Sequence, residues 1–376
     1  MERKRIYLSS PTMHGEEQAF VQSAFDTNWV APLGPNVDAF ENEMADYIGG
    51  GYAAALSAGT AAIHLAVILA GVKEGDIVFA QSLTFAASVN PACYEKAKPV
   101  FIDSEPDTWN MDPVALEKAF EKYPHPAAVI AVHLYGTPSK IARIRDICKK
   151  HQVPLIEDAA EALGSSFQGQ KLGTFGDYGI LSFNGNKIIT SSGGGMLLCS
   201  DEAKIKRARF LATQARDPAR YYQHSTIGYN YRMSNVVAGV GRGQLLHLEE
   251  HKTRKNEIYR QYKEAFADIE AITMNPMNPD GDANNWLSCM TIAPDSSVTP
   301  DQVMDALAEY NIETRPIWKP MHLQPVFADC DFIQVKEGRS VSEDIFNRGV
   351  CLPSDIKNTP EDMELIISLI RKVFGK

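Results

Sequence analysis

Short apolar runs alternate with helical patterns between about residues 50 and 250, and this alternation predicts a mostly parallel β-sheet covered by helices. The predicted strands are Asp76–Ala80, Pro99–Asp103, Ala128–His133, Pro154–Glu157, Gly179–Phe183 and Gly195–Cys199. The amphipathic helices predicted between them include Ala58–Ala70, Pro113–Lys122 and Ile141–His151. Because ligands of such sheets bind at the carboxyl ends of the strands, residues just after these runs are the first candidates for a functional site.

The pattern changes after about residue 247, where a long charged helix is predicted over Glu250–Phe266. The remainder predicts a smaller α/β domain, with strands near Trp286–Ile292 and Glu313–Arg315 and helices near Pro300–Tyr310 and Pro360–Val373. A chain of 376 residues is long enough for two domains. We therefore predict a large ligand-binding domain over residues 1–250 and a small domain over residues 251–376. The large domain includes a helix at Gly15–Ala24 and a loop at Trp29–Asn36.

The composition is that of an ordinary soluble enzyme, with 44% hydrophobic and 22% charged residues. No apolar run is long enough to cross a bilayer, and the basic N-terminus precedes a polar stretch, so we expect a cytoplasmic location. The net charge of −10 argues against non-specific binding of nucleic acid. The six cysteines form no CxxC pair and match no zinc spacing, so we expect free thiols and no metal site.

Lys187 is the first candidate for chemistry. It follows the predicted strand Gly179–Phe183, within the small and polar residues of SFNGNK, and a glycine-rich run SSGGG comes soon after it. Lysine is strongly hydrated and seldom fully buried. A lysine held in such a place can form a Schiff base with an aldehyde. The alternative is a surface lysine in a flexible loop.

Asp158 ends the predicted strand Pro154–Glu157 and emerges from it at the carboxyl end. A carboxylate there can accept a hydrogen bond from a protonated pyridine nitrogen and keep that ring cationic, which makes the ring an electron acceptor. The alternative is that Asp158 caps a helix starting at Ala159.

Gly59 and Thr60 open the predicted helix Ala58–Ala70, in the sequence SAGTAA. Glycine lets the backbone approach a ligand, and the free N–H groups and dipole of a helix start favour an anion such as phosphate. Ser182 can add a hydroxyl to the same phosphate. The alternative is an ordinary Ser/Thr helix cap.

Phe85 follows another predicted strand, where an aromatic ring can stack on a flat cofactor. The alternative is a core phenylalanine. Together, the four features supply a Schiff-base lysine, a partner for a pyridinium nitrogen, a phosphate cup and a stacking face. Pyridoxal 5′-phosphate requires all four, and the sequence places them at strand ends of one α/β region.

Seven stretches carry a resemblance to a known family. In chain order they are SAGTAAIHLA, TFAASVNP, VFIDSEPDTWNMD, HLYG, IEDAAEALGS, FNGNKIITSSGGGM and GYNYRMSN. They are similar to those of the DegT/DnrJ-type sugar aminotransferases, which have the aspartate aminotransferase-like fold, PLP-dependent transferase fold type I. The strings APLGPNVDAFE, SFNGNKIITSSGGGML, QARD and ETRPIWKPMH resemble the members that aminate C4 in the UDP-N,N′-diacetylbacillosamine pathway.

The resemblance implies a role for each matching residue. Lys187 matches the lysine that forms the Schiff base, and Asp158 matches the partner of the pyridine nitrogen. Glu161 occupies the position, often Gln or His, near the phenolic oxygen of the cofactor, and Phe85 matches the stacking ring. The phosphate binders of the family match Gly59, Thr60 and Ser182.

Further matches imply a homodimer with shared active sites. Asn230 matches an asparagine that reaches the phosphate from the neighbouring subunit. Trp318, Lys319 and His322 lie in the segment that lines the sugar-nucleotide site in this family. The implied reaction moves an amino group from L-glutamate to C4 of a UDP-linked 4-keto-6-deoxy-N-acetylhexosamine.

Three other readings stay open beside this one. The sugar could be another 4-keto or 3-keto sugar, linked to GDP or dTDP, as in perosamine-type synthesis. A sugar dehydratase of the same family would carry histidine at the position of Lys187, so the lysine favours transamination. A PLP-binding sensor without turnover would not need the intact set of Lys187, Asp158 and Asn230.

The run Gly239-Val240-Gly241-Arg242-Gly243 departs from the family pattern. Three glycines weaken a helix by roughly 1 kcal/mol each relative to alanine, and close packing against another helix is one reason to keep them. The run does not fit GxGxxG after a strand, so it does not indicate a dinucleotide site.

Overall fold

The computed structural model describes residues 4–376. Its strands are β1 (Tyr52–Leu56), β2 (Ile77–Gln81), β3 (Lys98–Ile102), β4 (Ala128–Val132), β5 (Leu155–Asp158), β6 (Ser166–Phe167), β7 (Gln170–Lys171), β8 (Tyr178–Ser182), β9 (Gly195–Cys199), β10 (Ile272–Met274), β11 (Gly281–Asp282), β12 (Ser288–Ile292), β13 (Arg315–Pro316), β14 (Phe332–Ile333) and β15 (Gly349–Leu352). Its α-helices are α1 (Glu16–Asp26), α2 (Pro35–Tyr47), α3 (Gly59–Leu69), α4 (Asn90–Tyr94), α5 (Pro113–Lys122), α6 (Ile141–His151), α7 (Glu202–Ala212), α8 (Asn235–Leu245), α9 (Leu248–Ala265), α10 (Pro300–Ala308), α11 (Val341–Arg348) and α12 (Pro360–Val373).

The large sheet has eight strands in the order β1-β9-β8-β5-β4-β2-β3-β14. Strand β9 is antiparallel to both of its neighbours, and the other strands run parallel to one another. All six strands predicted from the apolar runs belong to this sheet, with bounds that agree within one residue. The mostly parallel sheet predicted from the sequence is therefore confirmed.

The apolar runs are continuous because both faces of the sheet are covered. In β4, Val129 and Ala131 belong to one hydrophobic cluster, whereas Ala128 and Ile130 belong to the cluster on the opposite face. Successive side chains of a strand point to opposite faces, so a strand buried on both faces has no polar alternation. This burial fixes the strand ends from which the functional side chains emerge.

Several elements were not predicted, and three of them, β1, α2 and β14, belong to or precede the large sheet. Strand β1 precedes α3, and helix α2 begins at Pro35, inside the predicted loop Trp29–Asn36. Proline suits the first turn of a helix because its fixed φ matches and the missing N–H has no partner there anyway. The two-residue strand β14 completes the edge of the large sheet by pairing in parallel with β3.

The glycines of α8 lie against two other helices. A Cβ atom on Gly241 would be 2.7 Å from the ring of Phe40 in α2, and one on Gly243 would be 2.5 Å from the backbone nitrogen of Glu17 in α1. Gly239 is similarly close to Phe20 of α1. The close packing proposed for this run is confirmed, and it offsets the weak helix propensity of glycine.

A second sheet, in the order β10-β12-β15-β13, packs against α9, α10 and α12 around its own hydrophobic core. This core also takes Ile6 from the N-terminal segment, which forms a parallel bridge with Ile312. The division of the chain at residue 250 stays a prediction. Ile6, which precedes this position, belongs to the second core, and β14, which follows it, belongs to the large sheet. No helix within residues 4–376 is both long and apolar enough to span a membrane.

Candidate active site

A cavity of about 370 Å³ opens beside the carboxyl ends of the parallel strands β2, β5 and β8. It brings together eight residues predicted from the sequence. They are Gly59, Thr60, Phe85, Asp158, Glu161, Ser182, Lys187 and Trp318. The cavity lies where the parallel sheet was expected to place a ligand.

Lys187 lies in the turn after β8, and its side chain is largely buried. Its Nζ atom is 3.6 Å from Oε1 of Glu161 and 4.0 Å from the ring centroid of Trp286. The preceding carbonyl, that of Asn186, accepts hydrogen bonds from Trp286 Nε1 at 2.6 Å and from Ser9 Oγ at 3.0 Å. The lysine is thus held inside a site and is not the surface loop residue of the alternative reading.

Glu161 is buried opposite this lysine. Its Oε2 atom accepts a hydrogen bond from the backbone N–H of Tyr135 at 2.6 Å. Burial raises the pKa of Glu161 to about 7, although the nearby charge of Lys187 acts to lower it. Near neutral pH this side chain can therefore either accept or donate a proton.

The turn that presents the Tyr135 N–H follows β4 and is unusually tight. Tyr135 has a φ of 54° and Gly136 has a φ of 90°, both in the left-handed region. A Cβ atom on Gly136 would be 1.8 Å from Oδ1 of Asn284, so only glycine fits there. The HLYG string therefore aims a backbone donor at Glu161.

Asp158 is the last residue of β5 and is buried. Its Oδ2 atom accepts a hydrogen bond from Ser88 Oγ at 2.6 Å, and its Oδ1 atom accepts one from the backbone N–H of Ala160 at 3.1 Å. The residues that follow form turns and not a helix, so the helix-cap reading of Asp158 is wrong. The carboxylate instead lines the cavity, where it can accept a further hydrogen bond from a ligand.

Helix α3 points its N-terminus at the cavity. Its N-cap is Ala58, and no side chain caps the helix, so the alternative of an ordinary Ser/Thr cap is wrong. A Cβ atom on Gly59 would be 3.2 Å from the side chain of Ser182, so the absence of one leaves room beside that hydroxyl. Uncapped N–H groups, the helix dipole and two nearby hydroxyls, those of Thr60 and Ser182, suit a phosphate.

Phe85 has 59% of its surface exposed and lines the cavity, so it is not the core residue of the alternative reading. The centroid of its ring lies 5.5 Å from that of Trp318. The backbone N–H of Trp318 donates to the hydroxyl of Tyr135 at 3.2 Å. Phe85 therefore presents an aromatic ring to a cavity that Asp158 and Lys187 also line, which suits an aromatic cofactor.

The other predicted contacts lie outside the lining of this cavity. Asn230 is exposed and forms an isolated antiparallel bridge with Thr213. Lys319 is exposed. His322 is engaged with Ser82 Oγ at 2.6 Å and with Glu343 at 3.1 Å. Their roles remain predictions.

Sequence reasoning missed three residues that hold the site in shape. Ser88 bonds Asp158, Trp286 lies beneath Lys187, and Tyr135 connects Glu161 with Trp318. Ser88 and Tyr135 lie within quoted motifs, TFAASVNP and HLYG, but nothing in those strings identifies their partners.

Comparisons with known proteins agree with this geometry. The profile of the DegT/DnrJ/EryC1/StrS aminotransferase family matches residues 11–371. EpsN of Bacillus subtilis, which is assigned as a pyridoxal phosphate-dependent aminotransferase, is 51% identical over 99% of this chain and 96% of its own. GDP-perosamine synthase of Caulobacter vibrioides is 34% identical over 98% of each chain. The crystal structure of the aminotransferase TlmJ from Streptoalloteichus hindustanus has a TM-score of 0.89, 27% identity and 99% coverage of both chains. The predicted fold class, fold type I, is confirmed.

Proposed function

Because the chain belongs to the DegT/DnrJ/EryC1/StrS aminotransferase family, we propose that it moves an amino group from L-glutamate to C4 of a UDP-linked 4-keto-6-deoxy-N-acetylhexosamine. It is a pyridoxal phosphate-dependent sugar aminotransferase. We also propose that it acts in the cytoplasm, in bacillosamine-type amino-sugar biosynthesis. The observation that carries the reaction type is that Lys187 and Asp158 line one cavity together with an uncapped helix N-terminus.

Pyridoxal phosphate supplies an electron sink for a carbanion and a carrier for the amino group. The residues present fit it. The start of α3, with Gly59, Thr60 and Ser182, would hold the phosphate, and the buried carboxylate of Asp158 would face the ring nitrogen. Phe85 would cover the ring. The cleft beside Gly59, which a Cβ atom would fill, is the most specific part of this fit.

Lys187 is the amine that lines the cavity. We assign it two tasks, holding the cofactor between turnovers and carrying the proton at the reacting carbon of each substrate. A general acid–base group of this kind contributes typically about 100- to 10,000-fold to the rate. The Trp286 face beneath its ammonium group limits where that group can move, which favours proton transfer at one fixed position.

Glu161 would be the acidic partner of this amine. Its carboxylate is the acidic group closest to Nζ of Lys187, and Tyr135 fixes its other oxygen. Because burial raises the pKa of Glu161 to about 7, this carboxyl group can hold or release a proton near neutral pH. A partner that can hold or release a proton suits a lysine that must act first as base and then as acid.

A homodimer with shared sites is the proposed assembly. Asn230 lies outside its own cavity and is exposed, so it is free to reach a neighbouring subunit. The segment before it also exposes the large side chains Tyr221, Tyr222 and Ile227. Exposed apolar groups of this size favour a protein contact. The proposed sugar-nucleotide contacts, Trp318, Lys319 and His322, follow the family resemblance, and Trp318 lines the cavity.

The substrate assignment is tested with a panel of 4-keto nucleotide sugars and L-glutamate, followed by the appearance of 2-oxoglutarate. We expect kcat/KM for the UDP-linked N-acetyl sugar to exceed that for dTDP- and GDP-linked sugars lacking the acetamido group. A preference for another nucleotide would overturn the substrate assignment and leave the reaction type intact.

A second substrate is supported by one observation, the 34% identity to GDP-perosamine synthase over nearly the whole chain. GDP-4-keto-6-deoxymannose is therefore the first competitor to include in the panel. A higher kcat/KM with this sugar than with the UDP-linked one would establish perosamine-type synthesis instead.

A further inference from the structure

Three histidines cluster outside the cavity, where the N-terminal segment meets the start of α9. The rings of His14 and His247 are stacked, with centroids 3.7 Å apart and planes within 5°. The ring of His251 lies 5.0 Å from that of His14. His247 and His251 are four residues apart, the spacing that places two side chains on one face of a helix. Nothing in the proposed transamination uses these residues.

Hydrogen bonding fixes which ring nitrogens carry protons. Nδ1 of His251 lies 2.8 Å from the carbonyl oxygen of Ile188, which can only accept, so this nitrogen is protonated. The neutral ring of His251 then has its lone pair on Nε2. Nε2 of His14 lies 2.7 Å from that lone pair and must donate to it. A neutral His14 therefore keeps a free lone pair on Nδ1.

The distances within the cluster show which pairs of atoms are spaced to share a metal ion. Zinc bonds to nitrogen and carboxylate oxygen at about 2.0–2.2 Å, so two ligands of a tetrahedral zinc lie about 3.3 Å apart. Nδ1 of His247 and Oε2 of Glu250 are hydrogen-bonded at 3.2 Å, a distance that is also close to that spacing. The 2.7 Å contact between His14 and His251 is too short for a shared metal and fits a hydrogen bond.

We propose that His14, His247 and Glu250 form a binding site for a divalent transition metal of the zinc type. One ligand atom from each of the three residues lies within 4.8 Å of the others. Imidazole and carboxylate are ligands that zinc accepts, and three protein ligands leave a fourth position for water. The site is separate from the cofactor cavity and contains no residue that lines it.

His251 does not bind the metal itself but supports the ligand His14. A metal-bound histidine usually donates its other N–H to an acceptor, and His14 donates to His251. His251 in turn donates to the carbonyl of Ile188, the residue after Lys187. A bound metal would thus tie the N-terminal segment to α9 and steady the peptide that follows Lys187.

A groove of about 620 Å³ lies beside the cluster and gives it access. The lining of this groove includes His14 and Glu250, and also Glu257, whose charge is paired with that of Arg254. A second carboxylate beside the cluster is that of Glu16, whose Oε2 atom lies 3.2 Å from Nε2 of His247. Metal binding replaces the contact of Nδ1 of His247 with Glu250. It also rotates the two stacked rings, because a metal lies in the plane of each imidazole that binds it. The sequence HLEEH carries the H-x-x-E-H spacing of one class of zinc enzymes, but His14, the third partner, is more than 200 residues away.

The test is titration of the purified, untagged holoenzyme with zinc chloride after removal of metal with EDTA, followed by isothermal calorimetry. We expect saturable binding of one zinc ion per chain. His14→Ala and His247→Ala should each weaken it at least about tenfold, and His251→Ala should weaken it by roughly 10- to 100-fold through the outer shell. His125→Ala, an exposed histidine elsewhere, is the matched control and should bind as the wild type does.

Glu250→Gln is a second variant that should stay folded, because Glu250 is exposed and glutamine has nearly the same shape. It tests whether weaker zinc binding comes from loss of a ligand and not from unfolding. It should keep the thermal unfolding transition of the wild type while weakening zinc binding at least about tenfold. Absence of saturable binding in the wild type would overturn the proposal. So would a site of unchanged affinity in His14→Ala, His247→Ala and Glu250→Gln, since the metal would then be bound elsewhere, for instance by cysteines.

Discussion

Nζ of Lys187 and Oε1 of Glu161 lie 3.6 Å apart in a cavity where the two side chains are only 13% and 5% exposed. Removing either partner of such a pair leaves the other charge buried without compensation, which is costly. Asp158 and Trp286 line the same cavity as this pair. Stability and catalysis are therefore linked at this contact, and each can be measured separately.

Glu161→Gln should change how stability depends on pH. Burial raises the folded-state pKa of Glu161 from 4.5 to about 7. The protonated carboxyl group therefore contributes to the free energy of unfolding, and this contribution is fully present below pH 4.5 and is lost as the pH rises through 7. A shift of that size corresponds to about 3 kcal/mol. In urea unfolding of the apoprotein, the unfolding free energy of the variant minus that of the wild type should therefore increase between about pH 5 and about pH 8.

The control for this change is Glu121→Gln, on the exposed face of α5. It should leave the difference from the wild type equal at both pH values. An equal difference for Glu161→Gln as well would mean that Glu161 does not titrate in this window.

For Lys255, we predict that the dependence of stability on pH has the opposite sign. Its ammonium is fully buried and donates to the carbonyls of Trp286 and Ser354, and burial lowers its pKa from 10.5 to about 7. The unfolded chain then binds more protons between these values, so stability rises with pH. Lys255→Met should remove this rise and lose about 2 kcal/mol of unfolding free energy relative to the wild type between about pH 7 and about pH 9.

Lys263→Met on the exposed side of the same helix is the comparison for Lys255→Met, and should show no such trend. If the wild type and Lys255→Met have parallel stability curves from pH 7 to pH 9, the ammonium group is not the source of the slope.

Ser88→Ala should weaken cofactor retention. The Ser88 hydroxyl donates to the buried Asp158 carboxylate, and a hydrogen bond to a charged group is worth about 1.5–3 kcal/mol. Loss of this bond leaves Asp158 less firmly oriented, so the dissociation constant for pyridoxal phosphate should rise by roughly tenfold or more. Ser104→Ala is a close control, because Ser104 Oγ is also buried but has no hydrogen-bond partner. Equal dissociation constants for the two variants would rule out this role for Ser88.

Lys187→Ala should abolish turnover. The loss of the proton-carrying amine predicts a fall in kcat of at least about 100-fold, with the fold unchanged by circular dichroism. Lys206→Ala removes an exposed lysine paired with Glu202 and should keep full activity. Transamination by Lys187→Ala at the wild-type rate would refute the assigned role.

The sequence was sufficient for six of the eight strands of the large sheet, because burial on both faces leaves continuous apolar runs such as β4. It was not sufficient for β14, a two-residue strand whose place at the sheet edge depends on distant chain segments. Local pattern carries no information about such a pairing.

The same distinction holds within the site. The positions of Lys187, Asp158 and Gly59 in the cavity were predictable because each residue follows, ends or opens a regular element. Their chemical roles stay predictions. The position of Trp286 was not predictable, because the indole that binds the Asn186 carbonyl is 100 residues further along the chain. The pKa of Glu161 likewise depends on burial by the folded protein.

The central claim is that Lys187, and not the nearby buried Lys255, binds pyridoxal phosphate. The most direct measurement is borohydride reduction of the holoenzyme, which fixes the cofactor to its lysine, followed by proteolysis and mass spectrometry. We predict one pyridoxyl group per chain, on the peptide that contains Lys187. A pyridoxyl group on Lys255 or on any other lysine, with Lys187 unmodified, would contradict the account.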